Sequence, residues 1–269
     1  ADEITLRKSR VDVPTALQSM VRTDHLTRLE HSYGKAGFDV TRMFMRSVPN
    51  PPDAVAFPET EQDGVKVLDW CDRIGAKAIP YGGGSSVVKG IEPAASFDKV
   101  VTISMRHMDK VLEVDLVSQA ARIQGGIYGP AIEDALRDGP FTMRHYMQAY
   151  RCSTLGGWIA TRSGGHYATL YTHIDDFVES TRVVTPAGTL ETRRLPGSGA
   201  GPSPDRLFIG SEGILGIITE AWVRLRKKPT FRASASVRFK DFHAGADAVR
   251  DITQAGLYPA NCRLLAARE

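Results

Sequence analysis

Cysteine is scarce in this sequence, and the three that occur, Cys71, Cys152 and Cys262, stand far apart. They show neither the dense spacing of a disulfide framework nor the paired spacing of a metal site, so no metal is expected. Isolated thiols suit a reducing compartment, and the expected location is cytoplasmic. An excess of either charge is also missing: 34 Lys and Arg face 31 Asp and Glu, a net +3. That balance, without clustered lysines, speaks against nucleic acid as a partner and against an anionic membrane surface. No apolar run is long enough to span a bilayer, so no transmembrane segment is expected. The opening "ADEITLRKSR" is charged where a signal peptide would be apolar. It starts at Ala1 without an initiator methionine, from which processing or trimming is expected.

Apolar residues, by contrast, make up 42% of the 269 positions, ample for a buried core. The length suits one large domain with a small annex. A helix is expected over "VPTALQSMVR", and the four prolines of "SVPNPPDAVAFPET" read as an extended linker. Thr60 and Asp63 form a capping-box pattern ahead of "DGVKVLDWCDRIG", a helix stopped by Gly75. "AKAIPY" is a strand, as are "KVVTISM", "KVLEVD" and "QAARIQGG". "YGPAIEDALRDG" reads as a helix, "STRVVTPAGTLETR" as a hairpin, "SPDRLFIG" as a short helix and "GIITEAWVRLRKK" as a strand. "ASASVRFKDF" followed by "HAGADAVRDITQAG" predicts a β–α unit. One such unit cannot bury its own apolar face, so the chain is expected to be cut short at Glu269.

Behind the strand "AKAIPY" comes "GGGSSV", a loop costly to order. It lacks the Gly-Lys-Ser/Thr ending of a P-loop. It also fails the dinucleotide fingerprint, because Val87 stands at the sixth position and "VVKGIEPAAS" breaks the helix that should follow. What remains is a run of backbone N–H groups able to nest an anion, with Ser85 and Ser86 adding hydroxyls. "STLGGWIATRSGG" and "GSEGILGII" are two more loops of small residues, and three such loops suggest one large ligand held by backbone at several places. A valine at Gly83 or Gly84 is expected to block that ligand and leave the fold largely intact.

Together "PYGGGSSV", "STLGGWIATRSGG", "HIDDFV", "VVTPAGTLET" and "GSEGILGIITEAWVRLR" resemble the FAD-binding domain of the vanillyl-alcohol-oxidase (PCMH-type) flavoproteins. The similarity is strongest to the branch of alkyldihydroxyacetonephosphate synthases and FAD-linked oxidases, and covers roughly residues 50 to 265 in order. It implies an α+β fold of two subdomains clasping FAD, with the start of a second, cap or substrate, domain. The expected division is an N-terminal segment and linker at 1–50, the FAD-binding domain at 51–230, and the start of the cap domain, truncated, at 231–269.

The resemblance also assigns cofactor residues. Pro80, Tyr81, Gly82, Gly83, Gly84, Ser85, Ser86 and Val87 would hold the pyrophosphate. Met147, Gln148, Ala149, Tyr150, Arg151, Cys152, Ser153 and Thr154, with Gly157, Ala160, Thr161, Arg162 and Ser163, would line the isoalloxazine and ribityl region. Glu212, Gly213, Ile214, Leu215, Gly216, Ile217 and Ile218 would contact the adenosine and ring portions through backbone. The first loop has no histidine, and His166 in "RSGGH" sits in the second segment, so FAD is expected to be non-covalent.

His145 falls where synthase-like members have a histidine near the flavin, and is a catalytic candidate beside the alternative of a hydrogen-bonded loop residue. "YMQ" replaces the Glu-Pro-Asp usual after it. Arg263, where the lactate dehydrogenase branch carries glutamate, leans with Trp158 toward the synthase branch. Its guanidinium suits a phosphate or carboxylate of the substrate, against the alternative of a surface arginine. Asp175 and Asp176 are expected to be structural. The resemblance implies a flavoenzyme acting on a small-molecule or lipid-like substrate, by alkyl transfer on a ketone phosphate without net redox. The alternatives are oxidation of a 2-hydroxy acid or alcohol, and a flavin-binding module without turnover. A homodimer is left open.

Overall fold

A computed structural model describes residues 3–166, 169–170, 173–195 and 199–266; the outermost residues of the first and last expected segments lie outside these. The first subdomain is built on a four-stranded sheet of β1 (Val21–Arg22), β2 (Ala54–Ala56), β3 (Lys77–Tyr81) and β4 (Val100–Ser104), in the order β1-β2-β4-β3. β4 runs parallel to both β2 and β3, and β1 is antiparallel to β2. Two helices, α1 (His25–Glu30) and α2 (Gly37–Phe44), fill the connection from β1 to β2, and α3 (Glu61–Ile74) links β2 to β3.

α3 forms as the sequence predicts. The Thr60 side chain accepts the Asp63 N–H at 3.2 Å, and Gly75 ends the helix at φ 67°. Its buried Val67, Trp70 and Cys71, spaced three and four apart, share one face and join Ala54, Ala56, Val101 and Ile103 of the sheet. Burial pushes the Cys71 thiol up to about 12 and leaves it unreactive.

The second subdomain is a five-stranded antiparallel sheet in the order β5-β6-β10-β8-β9. Its strands are β5 (Val111–Asp115), β6 (Ala120–Gln124), β8 (Val178–Thr185), β9 (Gly188–Glu191) and β10 (Ile217–Arg224). α4 (Gly129–Ala135), the short pair β7 (Phe141–Thr142) and β11 (Arg226–Lys227), α5 (Leu155–Ala160) and α6 (Asp205–Phe208) complete it. Its core gathers Ile123, Ile132, Leu155, Trp158, Val183 and Val223 among others. Ile217, at the start of β10, belongs to the other core, so the two subdomains are stitched where they meet. The last helix is α7 (Phe242–Gln254), capped by Asp241.

Three expectations need correction. "VPTALQSMVR" yields only a 3-10 turn, Thr15–Leu17, and then strand β1, because Val21 and Arg22 find partners in Ala56 and Val55. "SVPNPPDAVAFPET" is not a linker: residues 51–56 are buried and carry β2 in the middle of the first sheet. The buried Asp53 carboxylate draws Arg10 at 2.9 Å, Arg7 and the Val100 N–H at 2.9 Å, and so ties the N-terminal segment down. Finally, "ASASVRFKDF" forms no strand before α7. Residues 231–240 are exposed and meet no strand partner among the described residues, and a strand without a ladder does not persist.

Candidate cofactor site

β3 ends at Tyr81 and delivers the glycine loop to the seam between the two subdomains. None of the backbone N–H groups from Gly82 to Val87 donates to a protein acceptor among the described residues. Six consecutive free donors on a partly buried loop are the chemistry that an anion satisfies. Gly84 takes φ 69°, with the Tyr81 hydroxyl lying where a Cβ would point. Tyr81 itself is buried, which pushes its hydroxyl up to about 12 and keeps it protonated.

The three small-residue loops meet in one cleft. Pro80, Tyr81, Gly82 and Ser86 line it from the first, and Thr154, Gly157, Ala160 and Thr161 from the second. Glu212, Gly213, Gly216, Ile217 and Ile218 line it from the third. Five lining residues were missed by sequence reasoning: Gly90, Ile91, Met105, Gly125 and Gly156. The "GG" that ends strand β6 was the available signal for Gly125. There backbone meets backbone, as the Gly156 N–H donates to the Gly125 carbonyl at 2.7 Å and seats α5 against the sheet.

Other predicted residues shape the cleft without lining it. Gly83 faces the second loop: a Cβ there would sit 2.0 Å from the Cys152 carbonyl oxygen and 2.8 Å from the Ser153 Cα. The glycine run thus also lets two loops pack backbone on backbone, and a valine at Gly83 would disturb that packing rather than leave the fold intact. Gly84, Ser85 and Val87 complete the first loop, where Val87 is exposed. In the second loop Met147 is buried, and Gln148, Arg151 and Cys152 are exposed. The Ser153 hydroxyl bridges the Trp158 indole N–H at 2.8 Å and the Ala149 carbonyl at 2.7 Å. Tyr150 stacks near Trp158 and donates to the Gly129 carbonyl at 2.7 Å. Arg162 turns its guanidinium to Asp175 at 2.9 Å, which Arg206 also holds at 2.7 Å, so Asp175 serves a structural ion cluster. Ile214 and Leu215 are exposed on the third loop.

His145 is buried between the rings of Trp158 and Phe177, with its Nε2 2.9 Å from the Ser163 hydroxyl. Burial, helped by the charges of Arg226 and His173, pushes its pKa down to about 4, so it is neutral near pH 7. It is absent from the cleft wall. Arg263 is exposed on the irregular segment behind α7. His166 is exposed as well, with its backbone N–H on the Tyr146 carbonyl. Among the described residues there is no cluster able to hold a metal, and no helix long and apolar enough to cross a membrane.

A loop of free amides, a cleft walled by glycines and an apolar floor of Met105, Ile217 and Ile218 fit a dinucleotide that presents a pyrophosphate and flat rings. A family model for an FAD binding domain matches residues 52–193, and the chain belongs to this family. An alkyldihydroxyacetonephosphate synthase of Dictyostelium discoideum is 36% identical over 248 residues, 92% of this chain and 41% of that protein. One from Trypanosoma brucei brucei is 34% identical over 249 residues, covering 92% and 40%. A solved alkyldihydroxyacetonephosphate synthase structure matches with a TM-score of 0.87 at 33% identity, over 97% of this chain and 50% of that one. The chain thus spans between two fifths and one half of the length of these relatives. Its fold is the two-subdomain, α+β, PCMH-type FAD-binding fold, and its cofactor is FAD.

Proposed function

We propose that this chain is the FAD-binding part of a flavoenzyme of the alkyldihydroxyacetonephosphate synthase type, which attaches an alkyl group to a ketone phosphate. The observation that carries the reading is the row of six amides from Gly82 to Val87 that find no acceptor among the described residues, at the seam of a fold shared with that synthase. The pyrophosphate would lie on this loop, the isoalloxazine and ribityl portions against the second loop, and the remainder against residues 212–218. FAD supplies the reactive ring; the chain's own residues bind it, orient it and exclude water from it. His145, neutral and bonded to Ser163, is proposed to hold the second loop in shape on the substrate side. Arg263 is proposed to meet the phosphate of the substrate. A cytoplasmic location suits the unpaired Cys71, Cys152 and Cys262.

We further propose that FAD is held without a covalent bond, since the first loop offers no nucleophile beyond its serines. Acid precipitation of the purified, flavin-loaded protein should leave the yellow colour in the supernatant. Colour in the pellet would put a bond at Cys152 or His166 and overturn this attachment. The oxidase alternative separates from the synthase reading in the same cuvette. Bleaching of the flavin band by a 2-hydroxy acid such as glycolate would favour the oxidase over the synthase.

A further inference from the structure

We propose that residues 31–35, a segment ahead of the family match, preset the pyrophosphate loop, with Gly34 as the positioning residue. The segment lies between α1 and α2; its last residue touches the loop, and its first, with the end of α1, touches Tyr81, the strand residue that leads into the loop. At the far end the Lys35 N–H donates to the Ser86 carbonyl at 2.7 Å. A trans peptide points its carbonyl and its N–H in opposite directions, so fixing the Ser86 oxygen turns the Val87 N–H away from the segment. At the near end the Tyr81 hydroxyl donates to the Glu30 carbonyl at 3.2 Å, and the Tyr81 ring lies 4.5 Å from that of His31. Gly84 rests on that same hydroxyl.

Gly34 sits between these holds. A Cβ on it would lie 2.1 Å from the Ser86 carbonyl oxygen and 3.0 Å from its carbon, both backbone atoms with no flexible end to give way. Only glycine lets the segment approach closely enough for the Lys35 bond. The segment is itself anchored, since the buried Arg28 on α1 donates to the Pro52 and Arg7 carbonyls at 2.7 Å each. A triple-glycine loop left to itself would lose much conformational freedom on closing around an anion, and a loop held beforehand avoids that cost. The proposal rests on the pyrophosphate lying on Gly82–Val87.

The test is titration of ADP, and separately of FAD, into wild-type protein stripped of flavin and into Gly34→Ala. Gly37→Ala is the control, because a Cβ at Gly37 meets nothing within 4 Å. Gly34→Ala should bind both ADP and FAD about tenfold more weakly, by a common factor, through loss of aligned donors. Gly37→Ala should bind both as wild type does. Wild-type affinity for ADP in Gly34→Ala, or a loss confined to FAD, would overturn the proposal. Wild-type protein that binds FAD without binding ADP would overturn the pyrophosphate placement and this inference with it. Should Gly34→Ala fail to fold, His31→Ala decides, since it removes the ring that packs on Tyr81 and takes no group from the cleft wall. A roughly threefold or greater weakening for ADP supports the proposal, and none overturns it.

Discussion

Arg182 forks onto Glu61 across the seam between the subdomains, Nε to Oε2 at 2.5 Å and Nη2 to Oε1 at 2.9 Å. Glu61 opens α3 of the first subdomain, and Arg182 stands on β8 of the second. Two parallel bonds from a planar guanidinium fix an angle as well as a distance. The pair therefore sets how the two subdomains meet.

Arg182→Met should lower stability by about 1 kcal/mol, a value fitting a partly buried charged pair. The bond from Arg182, against some opposing burial, holds the Glu61 carboxyl below the usual range. The contribution is thus complete above the ordinary glutamate value of about 4.3 and is lost as the pH falls below it. Urea midpoints of the two proteins should converge between neutral pH and about pH 3. A gap of equal size at both values would show that the ion pair is not its source.

Gly83→Val should abolish FAD binding and also lower the thermal midpoint of the flavin-free protein. The side chain would have to displace the Cys152 backbone, so both loops move. Differential scanning with and without FAD reads both effects. Full FAD affinity in this variant would remove the first loop from the site.

The folded-state pKa of His145, about 4, lies below the ordinary histidine value near 6.5. Between those values the unfolded chain binds the proton and the folded chain does not. Its share of stability is therefore present above about pH 6.5 and fades as the pH falls toward 4. His145→Gln should flatten the stability profile in that window while His31, also shifted down by burial, keeps part of the slope. An unchanged slope would mean that His145 is charged in the native protein.

Asp53→Asn should cost about 3 kcal/mol, because Arg7 and Arg10 would lose a fully buried carboxylate. Burial alone would raise the Asp53 pKa, but the bonds from Arg10, Arg7 and the Val100 amide outweigh it and hold the group far below its ordinary value. That stability is complete above about pH 3.9 and declines only as the pH drops below it. Limited proteolysis offers a second reading. The variant should be clipped within its first twenty or so residues faster than wild type, since this carboxylate ties the segment down. Equal clipping rates would show that the segment is held by other contacts.

The parts of the fold legible in the sequence were those governed by neighbours along the chain. Thr60, Asp63 and Gly75 bound α3, and Gly188 at φ 129° turns the β8–β9 hairpin at "PAG", because caps and turns need only a few consecutive residues. The three loops of the site carried enough small residues to be found, and they do converge. What could not be read depended on partners far away in sequence. Val21 and Arg22 are a strand only because Ala56 and Val55 lie opposite, and prolines beside β2 hid a central strand. Conversely, Val237 and Phe239 carry a strand-like pattern but meet no strand partner among the described residues. The reach of Gly34 to Ser86 is of the same long-range kind. No local rule could place one glycine against another loop fifty-two positions on (86 minus 34).

Ile217 occupies the core of the first subdomain while its strand runs down the middle of the second sheet. On the ribosome this has a temporal meaning. The four strands of the first sheet have all emerged by Ser104, yet the plug for their core is made only when β10 is translated. Until then the nascent first half leaves part of its core open to water, and the FAD cleft lacks Ile217 and Ile218 of its floor. Cofactor capture should therefore come late in the synthesis of each chain, and a chain ending before Ile217 should expose apolar surface and hold no flavin.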